Sequence, residues 1–247
     1  MFEPRTAIPE LGVLGRDVCC RLTRYGLREL VAATLLTGGA CALAAWLLWP
    51  IAWAFWPVAG VLGLLWLWVL AFFRDPDRRG PQGEGLFVSS ADGRVTDVTN
   101  LGPDSMLGCE GVQIGVFMNV LDVHVNRSPC GGRIERIVRR RGAFLDARDP
   151  HASERNESVT VHMACGSGGK EYPVVVRQIA GLIARRIVTD LAEGQTVTRG
   201  QRIGMIKFGS RVEVLLPREL AGQVRVRTGQ RVRAGETVLA AAGKERE

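Results

Sequence analysis

The chain has few of the cysteine and histidine patterns that hold metals. It contains six cysteines and three histidines in 247 residues, and no two cysteines form a Cys-x-x-Cys pair, the usual sequence sign of a zinc site. We therefore expect no metal and no disulfide framework. The cysteines, predicted to be reduced thiols, are Cys19, Cys20, Cys41, Cys109, Cys130 and Cys165.

A long stretch lacks charge altogether. From Leu30 to Phe73 there is no Asp, Glu, Lys, Arg or His. A membrane-spanning helix needs about 20 apolar residues, so this run is long enough for two. Pro50 stands near its middle with four tryptophans around it, and tryptophan favours the membrane interface. Residues 30–73 are predicted to form a membrane hairpin with a turn near Pro50, spanning the bilayer or dipping partly into it.

Most of the charges that flank this run are positive. Because arginine and lysine stay on the cytoplasmic side, residues 1–29 are predicted to be a cytoplasmic segment, and everything after residue 73 to lie at the cytoplasmic face of the inner membrane. The net charge of +7 suits an anionic membrane. No helix-turn-helix or aromatic-rich RNA-binding pattern supports nucleic acid as a partner. The flanking residues are Arg16, Arg21, Arg24 and Arg28 before the run, and Arg74, Arg78 and Arg79 after it.

The remainder, residues 74–247, has no long helical period. After the charged linker FFRDPDRRGPQGEG, short β-like runs alternate with turn residues, which indicates a mainly β domain. EGQTVTRGQRIGMI (193–206) and TGQRVRAGETVLAA (228–241) form a weak repeat with glycines at matching places. This spacing resembles the barrel-sandwich architecture of biotinyl and lipoyl domains.

One Gly-Ser pair stands between two apolar runs, in MIKFGSRVEVLLP. Most such serines are turn residues, and no Gly-x-Ser-x-Gly elbow surrounds Ser210. A Gly-Ser bond in a tight site can instead react with itself. The serine hydroxyl adds to the Gly209 carbonyl, the acyl group shifts from nitrogen to oxygen, and elimination followed by hydrolysis leaves a pyruvoyl group. That reaction needs a base for the serine proton.

The three histidines are the first candidates for this base. His124 lies in NVLDVHVNRSP, where strand alternation puts Asp122, His124 and Asn126 on one face. The alternative is that His124 is an ordinary surface histidine on a strand. His162 is expected to pack within a strand, and His151 lies in a polar loop. Asp92, in SSADGRV, is either a turn residue or a carboxylate that orients an imidazole.

Several segments taken together resemble one family. FFRDPDR, ADGRV, NVLDVHVNRSPCGGRI, ASERNES, GLIARRIV and IKFGSRVEVLLP are similar, in this order, to segments of the phosphatidylserine decarboxylase proenzymes in their short bacterial and archaeal form. The resemblance covers about residues 72 to 217 and extends to an N-terminal membrane segment. Each motif alone is weak evidence for this family, whereas all of them in this order are specific for it.

The resemblance implies a self-processing carboxy-lyase that makes phosphatidylethanolamine from phosphatidylserine. Cleavage between Gly209 and Ser210 would give a β chain of residues 1–209 and an α chain of residues 210–247, which stay together as a heterodimer. Ser210 would become a covalent pyruvoyl cofactor that forms a Schiff base with the lipid amine. Archaetidylserine as substrate and a higher oligomer are both left open.

The resemblance also implies site residues. Longer members of the family cleave with an Asp-His-Ser relay, in which Asp92 and Ser210 match the aspartate and the serine. They carry two histidines three positions apart; the first matches His124, and the second, which serves the relay there, falls at Arg127. Either His124 takes that role or another group does. His124 is also the candidate proton donor in decarboxylation, and Arg127 or Arg133 is a candidate for binding the lipid phosphate.

Two other classes compete with this reading. A non-enzymatic, membrane-anchored biotinyl- or lipoyl-like module would carry its cofactor on a hairpin lysine, for which Lys207 in MIKFG is the candidate, although the Met-Lys-Met setting is absent. A lone lysine between strands is normally solvated. An efflux adaptor would need an external domain and a long coiled coil. Of the three readings, only the decarboxylase predicts two chains on a denaturing gel.

Overall fold

The computed structural model describes residues 20–81, 83, 85–149, 151–167, 169–182, 186–207, 209–221 and 223–242. Arg16, Cys19 and the rest of residues 1–19 of the predicted cytoplasmic segment lie outside this part of the chain. So do residues 183–185 and Phe208, which belong to the motifs GLIARRIV and IKFGSRVEVLLP.

The described residues form four α-helices and fifteen short or medium strands. The helices are α1 (Leu27–Leu47), α2 (Ala52–Phe72), α3 (Ala152–Arg155) and α4 (Arg218–Ala221). The strands are β1 (Cys20–Leu22), β2 (Arg74–Pro76), β3 (Leu86–Val88), β4 (Gly93–Leu101), β5 (Gly111–Met118), β6 (Val125–Arg127), β7 (Gly132–Arg140), β8 (Ser158–Ser167), β9 (Lys170–Ile179), β10 (Ile187–Val188), β11 (Thr196–Val197), β12 (Arg202–Ile206), β13 (Ser210–Pro217), β14 (Arg231–Val232) and β15 (Val238–Ala241).

The uncharged run folds into a pair of apolar helices. A single 3₁₀ turn over Trp49–Ile51 joins α1 to α2 and contains Pro50. Leu30 and Phe72 are the buried residues of the two helices, and both helices are long and apolar enough to cross a membrane. The indole N–H of Trp66 donates to the Thr34 hydroxyl at 3.0 Å and so links the helices. The predicted helical pair is confirmed.

Strands β1 and β2 fasten the base of this helical hairpin. They pair antiparallel, with Arg21 opposite Asp75, and the Thr23 N–H donates to the Phe73 carbonyl at 2.9 Å. The expected linker after residue 73 is therefore ordered at its start. Asp75 is buried there and binds Arg127 and Arg202, because its carboxylate needs partners once it leaves water.

An eight-stranded antiparallel sheet dominates the rest of the chain. Its order is β11-β7-β8-β9-β13-β5-β4-β14. Strand β13 lies between β9 and β5 and is buried along nearly its whole length. Its buried Glu213 is paired with Arg177 and Arg211. A three-stranded sheet, β10-β12-β6, and the β3–β15 pair lie beside it. The prediction of a mainly β domain preceded by helices is confirmed.

The weak sequence repeat is a structural repeat. Each copy gives a two-residue strand, a glycine turn and a longer strand: β11 then β12, and β14 then β15. Gly194 and Gly229, and likewise Gly200 and Gly235, have φ between +74° and +86°, a conformation that favours glycine. Strand β11 pairs with β7 and β14 with β4. The two copies thus extend the opposite ends of the sheet.

The prediction of reduced thiols is wrong for one pair. Cys130 and Cys165 form a buried disulfide with a Cα–Cα distance of 6.4 Å. Their separation of 35 residues forms no local motif. Antiparallel pairing of β7 with β8 sets Arg133 opposite Ala164 and so brings both cysteines together.

Candidate active site

Ser210 is buried at the first position of β13. It is 0% exposed and pairs with Met118 at the end of β5. Within the described part of the chain, its hydroxyl has no hydrogen-bond partner. Buried hydroxyls are normally bonded, and an orphaned one is a candidate reactive group.

Close backbone packing fixes the bond before Ser210. Gly209 has φ +58°, and a Cβ at that position would meet nothing within 4 Å, so the glycine is required by conformation rather than by space. Its carbonyl oxygen lies against Gly181, where an added Cβ would approach it to 1.8 Å. Because Gly181 and Gly209 have no side chains, neither residue covers the Gly209 carbonyl, which directly precedes the buried Ser210.

His124 is a fully buried, neutral imidazole just before β6. Its Nδ1 lies 2.9 Å from the Asp122 carbonyl oxygen; because a carbonyl only accepts, Nδ1 carries the proton and Nε2 keeps its lone pair. Among the described residues Nε2 has no partner. Burial lowers the pKa of His124 to about 4, although the Asp122 carbonyl and charge oppose the shift. The ring packs on Phe72, with ring centroids 4.3 Å apart.

Asp92 lies on the turn that leads into β4. Its carboxylate accepts from Arg78 Nη2 at 2.7 Å and from the Ala234 N–H at 2.8 Å. Burial raises its pKa, while Arg78 and the Ala234 N–H oppose the rise. These bonds tie Asp92 to the chain on both sides of residue 209. No hydrogen bond between Asp92 and His124 occurs in the region that the structure describes.

The end of β5 lies beside the segments that carry the three predicted residues. Met118 pairs with Ser210 on one side. On the other side Gly93, next to Asp92, packs so closely that an added Cβ would lie 3.3 Å from the Met118 Cα. From β6, Asn126 Nδ2 lies 3.5 Å from Met118 Sδ. Ser210, Asp92 and the His124 strand therefore converge on one strand end.

Several neighbours of this site were not predicted from the sequence. Gln178 in β9 donates to Asn126 Oδ1 at 2.7 Å, and its own Oε1 is buried without a partner among the described residues. Phe72 belongs to the apolar run, where nothing marks it as part of a site. Gly181 carried a signal only as the glycine of the GLIARRIV motif.

The two arginines considered for the lipid phosphate occupy different settings. Arg127 is buried and donates to the Asp75 carboxylate at 2.9 Å and to the Pro76 and Gly200 carbonyls. Burial lowers its pKa, although Asp75 opposes this. Arg133 is exposed on β7, 3.5 Å from Glu135. The guanidinium of Arg127 is thus engaged within the fold, and Arg133 projects into solvent.

Lys207 is not the solvated lysine expected. It is 7% exposed and binds the Glu29 carboxylate of α1. A carrier lysine has to be free for modification, so this buried ion pair disfavours the biotinyl-like reading. His151 lies in an exposed turn before α3, and His162 is half-buried in β8 as predicted. In the part of the chain that the structure describes, no group of His, Cys, Asp and Glu could hold a metal.

A mainly β domain that buries both a Gly-Ser bond and a neutral histidine has the features of a protein that acts on its own backbone. Comparison with known proteins is consistent with this class. The family model for phosphatidylserine decarboxylase matches residues 65–240. With this match, the chain belongs to the phosphatidylserine decarboxylase family.

Individual relatives agree. The phosphatidylserine decarboxylase proenzyme of Nitrobacter winogradskyi is 49% identical over 180 residues, which cover 72% of this chain and 71% of the relative. The proenzyme of Azorhizobium caulinodans is 48% identical over 179 residues, 70% and 73% of the two chains. That of Zymomonas mobilis is 43% identical over 207 residues, 81% and 78% of the two chains.

Proposed function

We propose that this chain is a proenzyme that cleaves its own Gly209–Ser210 bond and then, as two associated chains, decarboxylates phosphatidylserine to phosphatidylethanolamine. The observation that carries the proposal is the buried, unpartnered Ser210 hydroxyl directly after the Gly209 carbonyl, in a chain whose relatives are named as proenzymes.

The cleavage and the formation of the ketone use groups of the chain and one water molecule. The Ser210 Oγ gives its proton to His124 Nε2 and adds to the Gly209 carbonyl carbon. The C–N bond then breaks, the nitrogen takes a proton, and Gly209 is left as an ester on Oγ. Loss of the Ser210 Cα proton expels the Gly209 carboxylate from Cβ. Water converts the resulting dehydroalanine to a ketone and releases ammonia.

The state of His124 supports its role as the base. Its Nε2 is unprotonated at neutral pH because the pKa is about 4, and burial keeps water from competing for the lone pair. Once protonated, an imidazole of low pKa is a strong acid. It therefore returns its proton readily to the amine of the broken peptide. Protonation of the substrate α-carbon later uses a second proton, which His124 would take from the lipid ammonium as that group becomes the free amine.

Asp92 supports the cleavage as a positioning residue. Its two oxygens join Arg78, in the future β chain, to the Ala234 N–H, in the future α chain. This holds the turn before β4 against the end of β5, opposite Ser210. Direct orientation of His124 belongs to Asp122, through its carbonyl oxygen.

The mature site fits the prosthetic group that this chemistry produces. A ketone at position 210 would occupy the space of the buried Ser210 side chain, and when joined to the lipid amine it supplies the electron-accepting carbonyl for loss of CO₂. The chain itself holds the group at the head of β13, excludes water and places Nε2 of His124 for proton transfer.

Intact-mass spectrometry of the purified protein tests the proposal. We expect two chains, one ending at Gly209 and one beginning at residue 210, the second lighter by one ammonia than the same fragment with an N-terminal serine. Phenylhydrazine should label only the second chain. The preparation should release CO₂ from phosphatidylserine in detergent micelles. A single chain of 26.9 kDa with no carbonyl label would refute the proposal.

We also propose that the helical hairpin inserts from the cytoplasmic side of the inner membrane, which leaves the β domain inside. The exposed apolar surface of α1 and α2 and the arginines at both of their outer ends support this. Alkaline phosphatase fused after residue 247 should be inactive, and a fluorescent protein there should be bright. Fused at the tip, after Ile51, alkaline phosphatase should be active if the hairpin spans. An active phosphatase after residue 247 would contradict this orientation.

A further inference from the structure

A basic cleft lies where the hairpin meets the β domain. Its volume is about 640 Å³. Five basic and two acidic side chains line it, so positive charge is in excess. They are Arg24, Arg28, Arg139, Arg186 and Lys207, with Glu29 and Asp190.

The two acidic side chains are already engaged. Asp190 binds Arg24 and accepts the Tyr25 hydroxyl at 2.9 Å, and Glu29 binds Lys207. The guanidiniums of Arg28 and Arg186 have no ion-pair partner among the described residues, although Arg186 lies close enough to Glu29 to influence it. Both are exposed.

Arg139 adds a third guanidinium. Among the described residues, its one hydrogen bond is to the Thr189 carbonyl, at 3.5 Å. Three guanidiniums in one cleft repel each other and persist at little cost only in water or around an anion. The arrangement is thus complementary to a ligand with negative charge.

The position of the cleft indicates which anion. It opens at the first turn of α1, where the apolar surface of the hairpin begins. If the hairpin inserts as proposed, this turn lies next to the lipid phosphates. Leu27 lines the cleft, and Leu27, Val31 and Leu35 are each more than half exposed and share one helix face. An amphipathic ligand would meet charge in the cleft and an apolar track above it.

The cleft is also close to the reacting bond. Lys207 lines it and precedes Ser210 by three residues, a separation of at most about 10 Å along the chain. The Lys207 N–H is bonded to the Arg186 carbonyl at 3.3 Å. In a serine phospholipid the amine is only a few bonds from the phosphate, so a phosphate bound beside Lys207 would bring the amine toward position 210.

We propose that the basic cleft binds the phosphodiester of the serine phospholipid substrate, with Arg28 and Arg186 as its principal ligands and Arg139 as a further positive charge. The proposal rests on the proposed decarboxylase function. Guanidinium matches phosphate oxygens in pairs, whereas the acyl chains stay along α1 in the bilayer. The substrate enters sideways from the membrane rather than from solution.

The test compares an Arg28→Gln/Arg186→Gln double variant of the full-length protein with the wild type in neutral detergent micelles. Because two charge-assisted bonds are lost, we expect the KM for phosphatidylserine to rise about 10- to 100-fold, with kcat within a few-fold of wild type. Self-cleavage should remain complete. An Arg28→Lys/Arg186→Lys variant should recover much of the affinity, and Arg136→Gln, exposed on β7 outside the cleft, should behave as wild type.

A binding measurement separates this inference from the proposed function. Dihexanoyl phosphatidylglycerol, which has the phosphodiester but no serine, should bind the detergent-solubilised wild type in calorimetry, compete with substrate, and bind the double variant about 10- to 100-fold more weakly. This readout stands even if no CO₂ is released. Unchanged binding and KM, an equal loss in Arg136→Gln, non-competitive inhibition, or inorganic phosphate binding as tightly as the lipid would each overturn the assignment.

Discussion

Replacing Ser210 by alanine should leave a single uncleaved chain with no decarboxylase activity. The Oγ is both the nucleophile that attacks Gly209 and the atom through which the Gly209 carboxylate later leaves, so no partial function survives its removal. The substitution removes a buried hydroxyl that has no hydrogen-bond partner among the described residues, so folding should be unaffected. A denaturing gel and intact-mass spectrometry report the result. Normal cleavage of this variant would refute the mechanism.

Ser90 provides a matched control. It too is 0% exposed, and its hydroxyl is likewise buried without a partner in the described region. It follows Ser89 rather than a glycine. Ser90→Ala should mature at the wild-type rate, which would show that burial and an orphan hydroxyl are not enough without the Gly209 carbonyl.

Replacing His124 by alanine should slow self-cleavage by about 10²- to 10⁴-fold, the usual contribution of a general base. Pulse–chase labelling followed by a denaturing gel measures the rate. His124→Gln retains side-chain volume against Phe72 and should be equally slow, which separates lost chemistry from lost packing. Cleavage of both variants at the normal rate would assign the base to another residue.

The pH dependence of self-cleavage tests the neutral state of His124. With a pKa of about 4 instead of 6.5, His124 stays neutral down to about pH 5. Cleavage should then be flat from pH 8 to 5.5, where an ordinary imidazole would lose about tenfold. A tenfold fall in the wild-type cleavage rate by pH 5.5 would contradict the buried, neutral state of His124.

Asp92→Asn should cleave slowly, since the substitution weakens the link to Arg78. Any Asp92→Asn protein that matures should keep much of its decarboxylase activity.

The sequence was most informative where a property is local. The missing charges from Leu30 to Phe73 predicted two apolar helices, and two helices are found there. The repeated glycines marked turns, since a positive φ is a property of single residues. Strand alternation predicted that Asp122, His124 and Asn126 share one face, whereas the strand in the structure begins only at Val125. Ser210 was found through its glycine neighbour and the surrounding motif.

Contacts between distant segments could not be read in the same way. Lys207 and Glu29 lie 178 residues apart, and nothing local in either segment indicates that they meet. The same holds for Phe72 against His124 and for Cys130 with Cys165. Each of these contacts depends on how the hairpin and the sheets come together. The expected role of Arg127 was similarly incomplete, because its buried partner Asp75 lay in what looked like a linker.

The proposed cleavage at the start of β13 would affect whether the protein can refold after it has unfolded. The new chain starts inside the sheet, bonded to β5 and β9 over most of its first strand, and contributes β14 and β15 to two further pairings. The fragments should therefore remain together until the whole domain unfolds. Refolding would then require two separate chains to associate, which is a second-order process. Ser210 would already have been consumed. The domain would therefore fold only as the uncleaved chain. After cleavage the protein would depend on slow unfolding, that is on kinetic stability, rather than on refolding.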